Sequence, residues 1–380
     1  MARILKEPIF WVKPEQLKRT AGMTKQLCDT YGVRRRTLEY QVATVKSREV
    51  EYLSGDWDIN QTLFADHPFL QTLEVYESGG DVKAVHGYQI AVKRFSPAKA
   101  EALFGKWIRI YEDMKINGWR QSDDRDPWNE YVLAAVGRSG ELLFYQGIHR
   151  LSMALKLGIP SIPVKVGFRH KEWYDFRETV KGYAKAHRGL IYSPINHPDF
   201  ITFNTGWTEY RGNLISQHIS KESKTVLDIG AHWGYFSELL ARKGKDCTAI
   251  EKAPSMYRFL DKISKFPDKP GFNAVNMGIN EFLSGHNQYF DCVIALNIFH
   301  HFLKNKEGWA NLVKVAESLH TNEIFFQMAN DKTLGKFGKG YKKTADVLQL
   351  LVDKTGLRNV SQIGTENNRA IYHIKEGKRL

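Results

Sequence analysis

Cysteine is scarce in this chain: there are three in 380 residues, Cys28, Cys247 and Cys292. They are odd in number and widely separated, and two lie in apolar strand-like runs. Neither a disulfide framework nor a cysteine-based zinc site is expected, and a reduced, cytosolic setting is. Long apolar runs are missing as well. No stretch of 18 or more apolar residues occurs, and the opening Met1-Ala2-Arg3-Ile4-Leu5-Lys6-Glu7 meets charge and Pro8 before an apolar segment can develop. A membrane span and a signal peptide are therefore not expected. No internal repeat or low-complexity tract is visible, and 380 residues exceed one average core, so the chain reads as two domains.

Acidic residues are outnumbered, 42 against 55 Lys and Arg, for a net charge of +13. The excess favours an anionic partner. The basic residues are mostly dispersed among acidic ones, with local concentrations at Arg34-Arg35-Arg36, in the loop 332–343 and in the tail 375–379. Such runs fit a solvated face, and nucleic acid stays open as a partner because clustered cations release counterions from phosphates.

Against this background one stretch is rich in information. Residues 224–237 read Lys-Thr-Val-Leu-Asp-Ile-Gly-Ala-His-Trp-Gly-Tyr-Phe-Ser, and a second apolar run ends on Glu251. An apolar strand entering a glycine-punctuated turn, then a helix, and answered by an acidic residue about 20 positions on, is the arrangement that binds an adenosine cofactor. The glycines admit close backbone approach, and the carboxylate accepts from ribose hydroxyls. A pyrophosphate wants bare amides and the spacing G-x-G-x-x-G. Here Gly230 and Gly234 flank His232, and Tyr235-Phe236 follow, bulk that would crowd a pyrophosphate. A cofactor without phosphate but with a cationic amine to face Asp228 fits better, which points to S-adenosylmethionine over NAD.

From about residue 200, apolar runs alternate with helical patterns, the mark of a mostly parallel sheet covered on both faces. Strands are expected at 225–229, 247–251, 272–276, 290–297 and 323–327, and helices near 234, from Pro254, at 309–319 and at 344–354. Two β-rich runs at 359–363 and 370–374 end the chain and predict an antiparallel hairpin inserted into the sheet. Over about residues 205–376 the sequence resembles the class I S-adenosylmethionine-dependent methyltransferases. Val226-Leu227-Asp228-Ile229-Gly230-Ala231-His232-Trp233-Gly234-Tyr235-Phe236-Ser237 is similar to their first motif, and Phe290-Asp291-Cys292-Val293-Ile294-Ala295-Leu296-Asn297-Ile298-Phe299-His300-His301 to their fourth. The resemblance implies an α/β, Rossmann-like, seven-stranded methyltransferase sheet with a terminal antiparallel hairpin. It also implies cofactor contacts at Asp228, Gly230, His232, Gly234, Phe236, Glu251, Met277 and Asn297. His232 replaces the family's middle glycine, and histidine tolerates positive φ better than most residues.

The resemblance places the acceptor beside the loop 297–301. His300 or His301 is a candidate base for a hydroxyl acceptor; alternatively the pair caps the next segment and packs beneath the cofactor. The Asn-Ile-Phe-His sequence lacks the Pro-Pro-Tyr of amino-methyltransferases that act on DNA bases, leaving RNA, protein, glycan and small molecules as acceptors.

In the N-terminal half, residues 141–158 run strand, glycine turn, His149-Arg150, helix, and 162–166 are apolar. Gly147, His149 and Arg150 form a candidate phosphate or nucleotide corner at a helix N-terminus. The bland alternative has His149 and Arg150 bracing the turn against Asp123, Asp124 or Asp126. Residues 132–166 resemble the α+β fold of ParB and sulfiredoxin, whose Gly-x-x-Arg loop touches nucleotide phosphates. Ile148 stands where sulfiredoxins carry their catalytic cysteine, which excludes that chemistry. Gly55-Asp56-Trp57-Asp58 and Arg169-His170-Lys171-Glu172-Trp173 extend the likeness to ParB-related proteins. The resemblance implies a nucleoside triphosphate as a second ligand.

These readings divide the chain into a ParB-like domain with an N-terminal extension at 1–190 and a methyltransferase domain at 200–380, with 174–199 as the link. Residues 14–27 read as a helix and 34–47 as a basic helix or strand. The expected function is S-adenosylmethionine-dependent methylation of an anionic acceptor, a small molecule or glycan before RNA, with a nucleotide-binding switch as the rival.

Overall fold

The computed structural model describes residues 8–17, 19–20, 33–37, 41–45, 52–59, 62–63, 68–120, 131–207, 209–267, 270–285, 289–328 and 343–377. Internal contacts divide the chain into two compact units. One comprises 1–191 with 196–204, and the other 192–195 with 205–380. No helix among the described residues is long and apolar enough to cross a membrane. Cys28, Asp123, Asp124, Asp126 and residues 332–342 lie outside the described residues.

The first unit is α+β. Its strands are β1 (Phe10–Val12), β2 (Arg19–Thr20), β3 (Tyr52–Leu53), β4 (Thr62–Leu63), β5 (Val132–Val136), β6 (Leu142–Gln146) and β7 (Ile162–His170). They join in the order β1-β7-β5-β6-β2-β4, with β3 on the side of β7. A separate antiparallel pair joins Val33–Thr37 with Gln41–Val45, so the described part of 34–47 is strand. A short 3-10 turn at Pro14–Leu17 followed by β2 replaces the helix expected from Pro14. All nine positions of β7 are buried, as its near-continuous apolar run requires when both sheet faces are covered. Helices α1 (Pro68–Glu77), α2 (His86–Arg94), α3 (Pro97–Asn117), α4 (Ile148–Lys156) and α5 (Lys171–Ala186) complete the unit.

Within the expected link 174–199, residues 174–191 and 196–199 belong to the first unit and 192–195 to the second. Trp173, Val180 and Ala184 of α5 are buried, and Asp199, 1% exposed, accepts hydrogen bonds from Arg169 Nε at 2.8 Å, Arg169 Nη2 at 2.5 Å and Trp173 Nε1 at 2.9 Å. Tryptophan and valine in a helix that reads as charged are enough to anchor it, and a buried carboxylate this fully bonded is part of a core. The two motifs that carried the ParB likeness meet in the same unit. Asp58 binds the Arg138 amide at 2.7 Å and its guanidinium at 2.8 Å, and His170 Nε2 lies 3.0 Å from the Gly55 carbonyl oxygen.

The second unit holds a seven-stranded sheet of β8 (Thr225–Ile229), β9 (Asp246–Ile250), β10 (Asn273–Val275), β11 (Phe290–Leu296), β12 (Thr321–Gln327), β13 (Asn359–Glu366) and β14 (Arg369–Lys375). The order is β10-β9-β8-β11-β12-β14-β13. The five strands from β10 to β12 are parallel, and β14 is antiparallel to both neighbours. The terminal runs therefore insert as a hairpin whose later strand lies inside.

Alternate side chains on these strands enter two cores, as the two-residue period of a strand demands. Leu227, Ile229, Val293, Ile324 and Phe326 pack with α9 (Ile279–Gly285), α10 (Lys306–Ser318) and α11 (Thr344–Thr355). Val226, Cys247, Cys292, Ile294 and Phe325 pack with α6 (Tyr210–His218) and α7 (Tyr235–Ala241). Helix α8 (Pro254–Ser264) opens on Pro254, whose fixed φ suits a first helical turn. The two cysteines here are buried, and burial pushes the Cys247 thiol up to about 12.

Candidate functional site

The strand order reverses between β8 and β11, and ligands of open α/β sheets bind at the carboxyl ends of strands at such a point. β8 ends on Asp228 and Ile229, and the chain then coils tightly. Gly230, His232 and Gly234 have φ of 72°, 54° and 79°, three left-handed residues in five. Histidine thus takes the conformation expected of it at the middle position. The loop is tied to the end of β9 by Gly230 and Ala231 amides donating to the Ile250 carbonyl at 2.9 and 3.0 Å. It ends where Gly234 caps α7.

A cleft of about 780 Å³ opens along this edge. Of the residues singled out in the sequence, Gly230, Glu251, Met277 and His301 line it. Further lining comes from segments just beyond the carboxyl ends of β9 and β11, from the start of α9 and from α10, including Lys252, Pro254, Ile279, Ile298, Phe302 and Asn311. These were missed because nothing in their residue types is distinctive. The adjacency of Lys252 and Pro254 to Glu251, and of Ile298 to Asn297, was the available signal.

Glu251 Oε2 accepts from the His232 amide at 3.0 Å and Oε1 from the Ala253 amide at 2.8 Å. Each carboxylate oxygen can accept twice, so both retain a lone pair for a ligand donor. A Cβ on Gly230 would stand 2.6 Å from Ile298 Cδ1, so only glycine lets the β11 loop close over this turn. Gly234 is packed equally hard: a Cβ would meet Phe272 Cζ at 2.6 Å and Leu260 Cδ1 at 2.7 Å. Its role is helix and loop packing beneath the site.

Four of the expected contacts do not line the cleft. Phe236 belongs to the core with Ile215, Leu240 and Phe325 and is 6% exposed, because position two of α7 shares a helix stripe with Leu240. Asp228 is 3% exposed and does not line the cleft; its Oδ2 accepts from Ser237 Oγ at 2.8 Å. Burial pushes its carboxyl up to about 6, and the Glu251 charge adds to the rise, against the hydrogen bonds from Ser237. His232 presents its backbone amide to Glu251, while its ring stacks on Tyr192 with centroids 3.4 Å apart. Asn297, with φ 56°, is not a cleft residue either; its Nδ2 donates to Gln327 Oε1 at 2.9 Å and its Oδ1 accepts from Arg369 Nη1 at 3.2 Å.

His300 and His301 sit in a 3-10 turn, Phe299–Phe302, with ring centroids 4.0 Å apart. His301 lies on the cleft. Burial first, then the neighbouring His301 ring and the Arg369 and Lys304 charges, push His300 down to about 4. His301 is lowered too, by partial burial and by Lys304. Both are neutral at pH 7, and a base whose conjugate acid titrates near 4 is weak. Its burial and its cationic neighbours thus work against His300 as a proton acceptor.

In the N-terminal unit, Gly147 has φ 99° and opens α4. Its missing Cβ matters, since one would stand 3.2 Å from Val132 Cα. His149 stacks on Trp107 at 3.6 Å and meets the edge of Phe69 at 4.6 Å. Both are ring contacts that fix the orientation of the imidazole. Arg150 lies over the Trp119 ring, 5.8 Å from its centroid.

Residues 226–321 match the family model described as a methyltransferase domain. A search of curated proteins finds no match. Among solved structures the chain is similar to WbdD, called in one description a bifunctional kinase-methyltransferase, at 19% identity and a TM-score of 0.42; the alignment covers 52% of this chain and 49% of that one. It thus spans about half the length of that protein. The N-methyltransferase NodS from Bradyrhizobium japonicum WM9 aligns at 18% identity, over 45% of this chain and 96% of that one, with a TM-score of 0.36. Magnesium protoporphyrin IX methyltransferase (ChlM) from Synechocystis PCC 6803, solved with bound SAM, aligns at 16% identity over 44% and 77%, with a TM-score of 0.34. Scores this low settle no fold by themselves, and here the sheet order carries the assignment. The order is that of an open, Rossmann-like sheet, and the family match falls on its first four strands.

Proposed function

We propose that the chain is an S-adenosylmethionine-dependent methyltransferase acting on an anionic acceptor, a small molecule or glycan, with the ParB-like N-terminal unit recognising a phosphate-bearing part of it. The observation that carries the reading is the shared cleft of Gly230, Glu251 and Met277 at the point where the strand order reverses. The residues fit the cofactor. Glu251 offers two acceptor oxygens to a ribose diol, Met277, Ile250 and Ile279 supply apolar surface for a flat base, and Gly230 lines the same cleft. The absence of the dinucleotide glycine spacing favours a ligand without pyrophosphate.

When bound, S-adenosylmethionine supplies an electrophilic methyl group on a sulfonium. The chain's contribution is positioning, since in-line transfer gains most from holding nucleophile and donor at near-attack distance. The loop 230–234, tied to β9 through Ile250, fixes the cofactor side, and the β11 edge at Asn297–Ile298 fixes the acceptor side. In the N-terminal unit, support for an anion comes from Gly147 opening α4 and from Arg150 in its first turn.

Calorimetry tests the reading. Full-length protein should bind S-adenosylhomocysteine, and Glu251→Gln should weaken it by about 10- to 100-fold, the value of a charge-assisted hydrogen bond. No heat of binding in the wild type, or an unchanged affinity in the variant, refutes it.

A further inference from the structure

We infer that the methyl acceptor carries a carboxylate or phosphate bonded by Arg369, on a ring that packs against Tyr192 and Trp207. The inference rests on the cofactor reading above, because it takes the cleft beside Gly230 as the donor side.

Arg369 opens β14, the inner strand of the terminal hairpin. The two-residue turn Asn367-Asn368 has φ of 51° and 59°, the turn that matches strand twist, and it fixes Arg369 opposite Glu366. Gln327 Nε2 donates to the Arg369 carbonyl at 3.3 Å. Its amide oxygen takes the Asn297 Nδ2 bond, so Asn297 Oδ1 is left to receive Arg369 Nη1. The relay Gln327, Asn297, Arg369 therefore holds the guanidinium over the end of β11, the strand beside β8. Neighbouring strands are about 4.8 Å apart, so an anion on Arg369 lies roughly one to two strand spacings from the donor side. That distance suits a compact acceptor.

The guanidinium is under-used. Its Nε is buried with no hydrogen-bond partner, and the bond to Asn297 is the side-chain bond it makes among the described residues. The adjacent carboxylate, Glu366, pairs with Arg211 Nε at 2.7 Å. The Arg369 charge acts on Arg211 as a like charge. A half-buried, uncompensated cation is costly unless something pairs with it, and arginine's planar fork is matched to carboxylate and phosphate oxygens.

The wall between the glycine loop and this pair is aromatic. His232 stacks on Tyr192, Tyr192 lies 5.4 Å from Trp207, and Trp207 carries the Arg211 guanidinium 4.1 Å from its centroid. Tyr192 is 39% exposed, so part of this wall faces solvent.

The test titrates benzoate, phenyl phosphate and the neutral benzamide into full-length protein, with and without saturating S-adenosylhomocysteine, by ligand-observed NMR. One of the two anions should bind at least about tenfold more tightly than benzamide, and which one tells carboxylate from phosphate. Arg369→Gln should abolish that preference while S-adenosylhomocysteine affinity stays within about twofold, and Arg369→Lys should keep part of it by charge alone. Arg242→Gln, which removes an exposed charge elsewhere, should change nothing. Equal binding of the three probes by the wild type, or an anion preference that survives Arg369→Gln, overturns the inference. Failure to bind S-adenosylhomocysteine overturns the cofactor reading alone, because the probe titration without cofactor still decides this one.

Discussion

Replacing Asp228 by asparagine should make the C-terminal unit more stable at neutral pH. The carboxyl is 3% exposed and is pushed from an ordinary value of 3.8 up to about 6, mainly by burial. Between those values the folded chain binds a proton that the unfolded chain has lost, so this group's contribution to stability falls as pH rises from about 4 to about 6 and is flat above. A rise of that size corresponds to about 3 kcal/mol at pH 7. The asparagine side chain would carry no charge to desolvate and could still accept from Ser237 Oγ, now 2.8 Å from Oδ2. Its new amide hydrogens need acceptors, which takes back part of the gain, leaving an expected net stabilisation of about 1–2 kcal/mol. Hydrogen exchange across residues 225–241 of full-length protein, from pH 4 to 8, isolates the local opening free energy. The wild type should lose protection between pH 4 and 6 and the variant should not. Equal pH slopes in the two proteins, or lower protection in the variant at pH 7, would refute the assignment of a buried, destabilising charge.

Other expectations follow from the same geometry. Gly234→Ala adds a Cβ within 2.7 Å of Phe272 and Leu260 at a φ of 79° and should destabilise the unit by about 2–4 kcal/mol, read from the urea midpoint; a loss under about 1 kcal/mol would show that the contact relaxes. Asp199→Asn removes the charge that binds Arg169 and Trp173 in the N-terminal unit and should cost about 3–5 kcal/mol; unaltered thermal unfolding would contradict this. The His300 ring should titrate near pH 4 by NMR, and a midpoint close to the ordinary 6.5 would restore it as a candidate general base.

The C-terminal sheet was legible because parallel strands buried on both faces appear as short apolar runs, and each of these ends at a glycine, asparagine or acidic turn. Residues 225–229 and 290–296 are such runs, and the terminal pair could be read as a hairpin because no helical pattern separates it. What was hidden had no such marker. Helices α6 and α9 are nine and seven residues long, too short for a periodic stripe to stand out, and α1 to α3 belong to a unit whose small strands gave no frame for them. Within the motif, Phe236 shows the limit of spacing arguments: a residue two positions past a glycine turn can face the ligand or the core. Only the packing of α7 on Val226 and Phe325 decides. Asp228 is legible as important and illegible as to role, since burial is a tertiary property.

The two ends of the C-terminal sheet are built on opposite terms, and the contrast locates function better than any single residue. At the amino end, buried polar groups close their bonds. Glu323 accepts from the Ser220 amide at 3.0 Å, Ser223 Oγ at 2.6 Å and His373 Nε2 at 2.7 Å, and Asp291 from the Lys224 and Thr225 amides at 2.8 and 2.9 Å. At the carboxyl end, local rules are broken together. Three left-handed residues crowd one loop, Asn297 is strained, Asp228 is buried against its charge, His300 is held neutral and Arg369 Nε has no acceptor. Such violations persist where binding repays them. Damage at the amino end should therefore cost stability and leave ligand affinity alone. At Asp228 relief of strain should raise stability, and at Arg369 loss of charge should lower ligand affinity. That opposition in sign separates a working edge from a merely polar one.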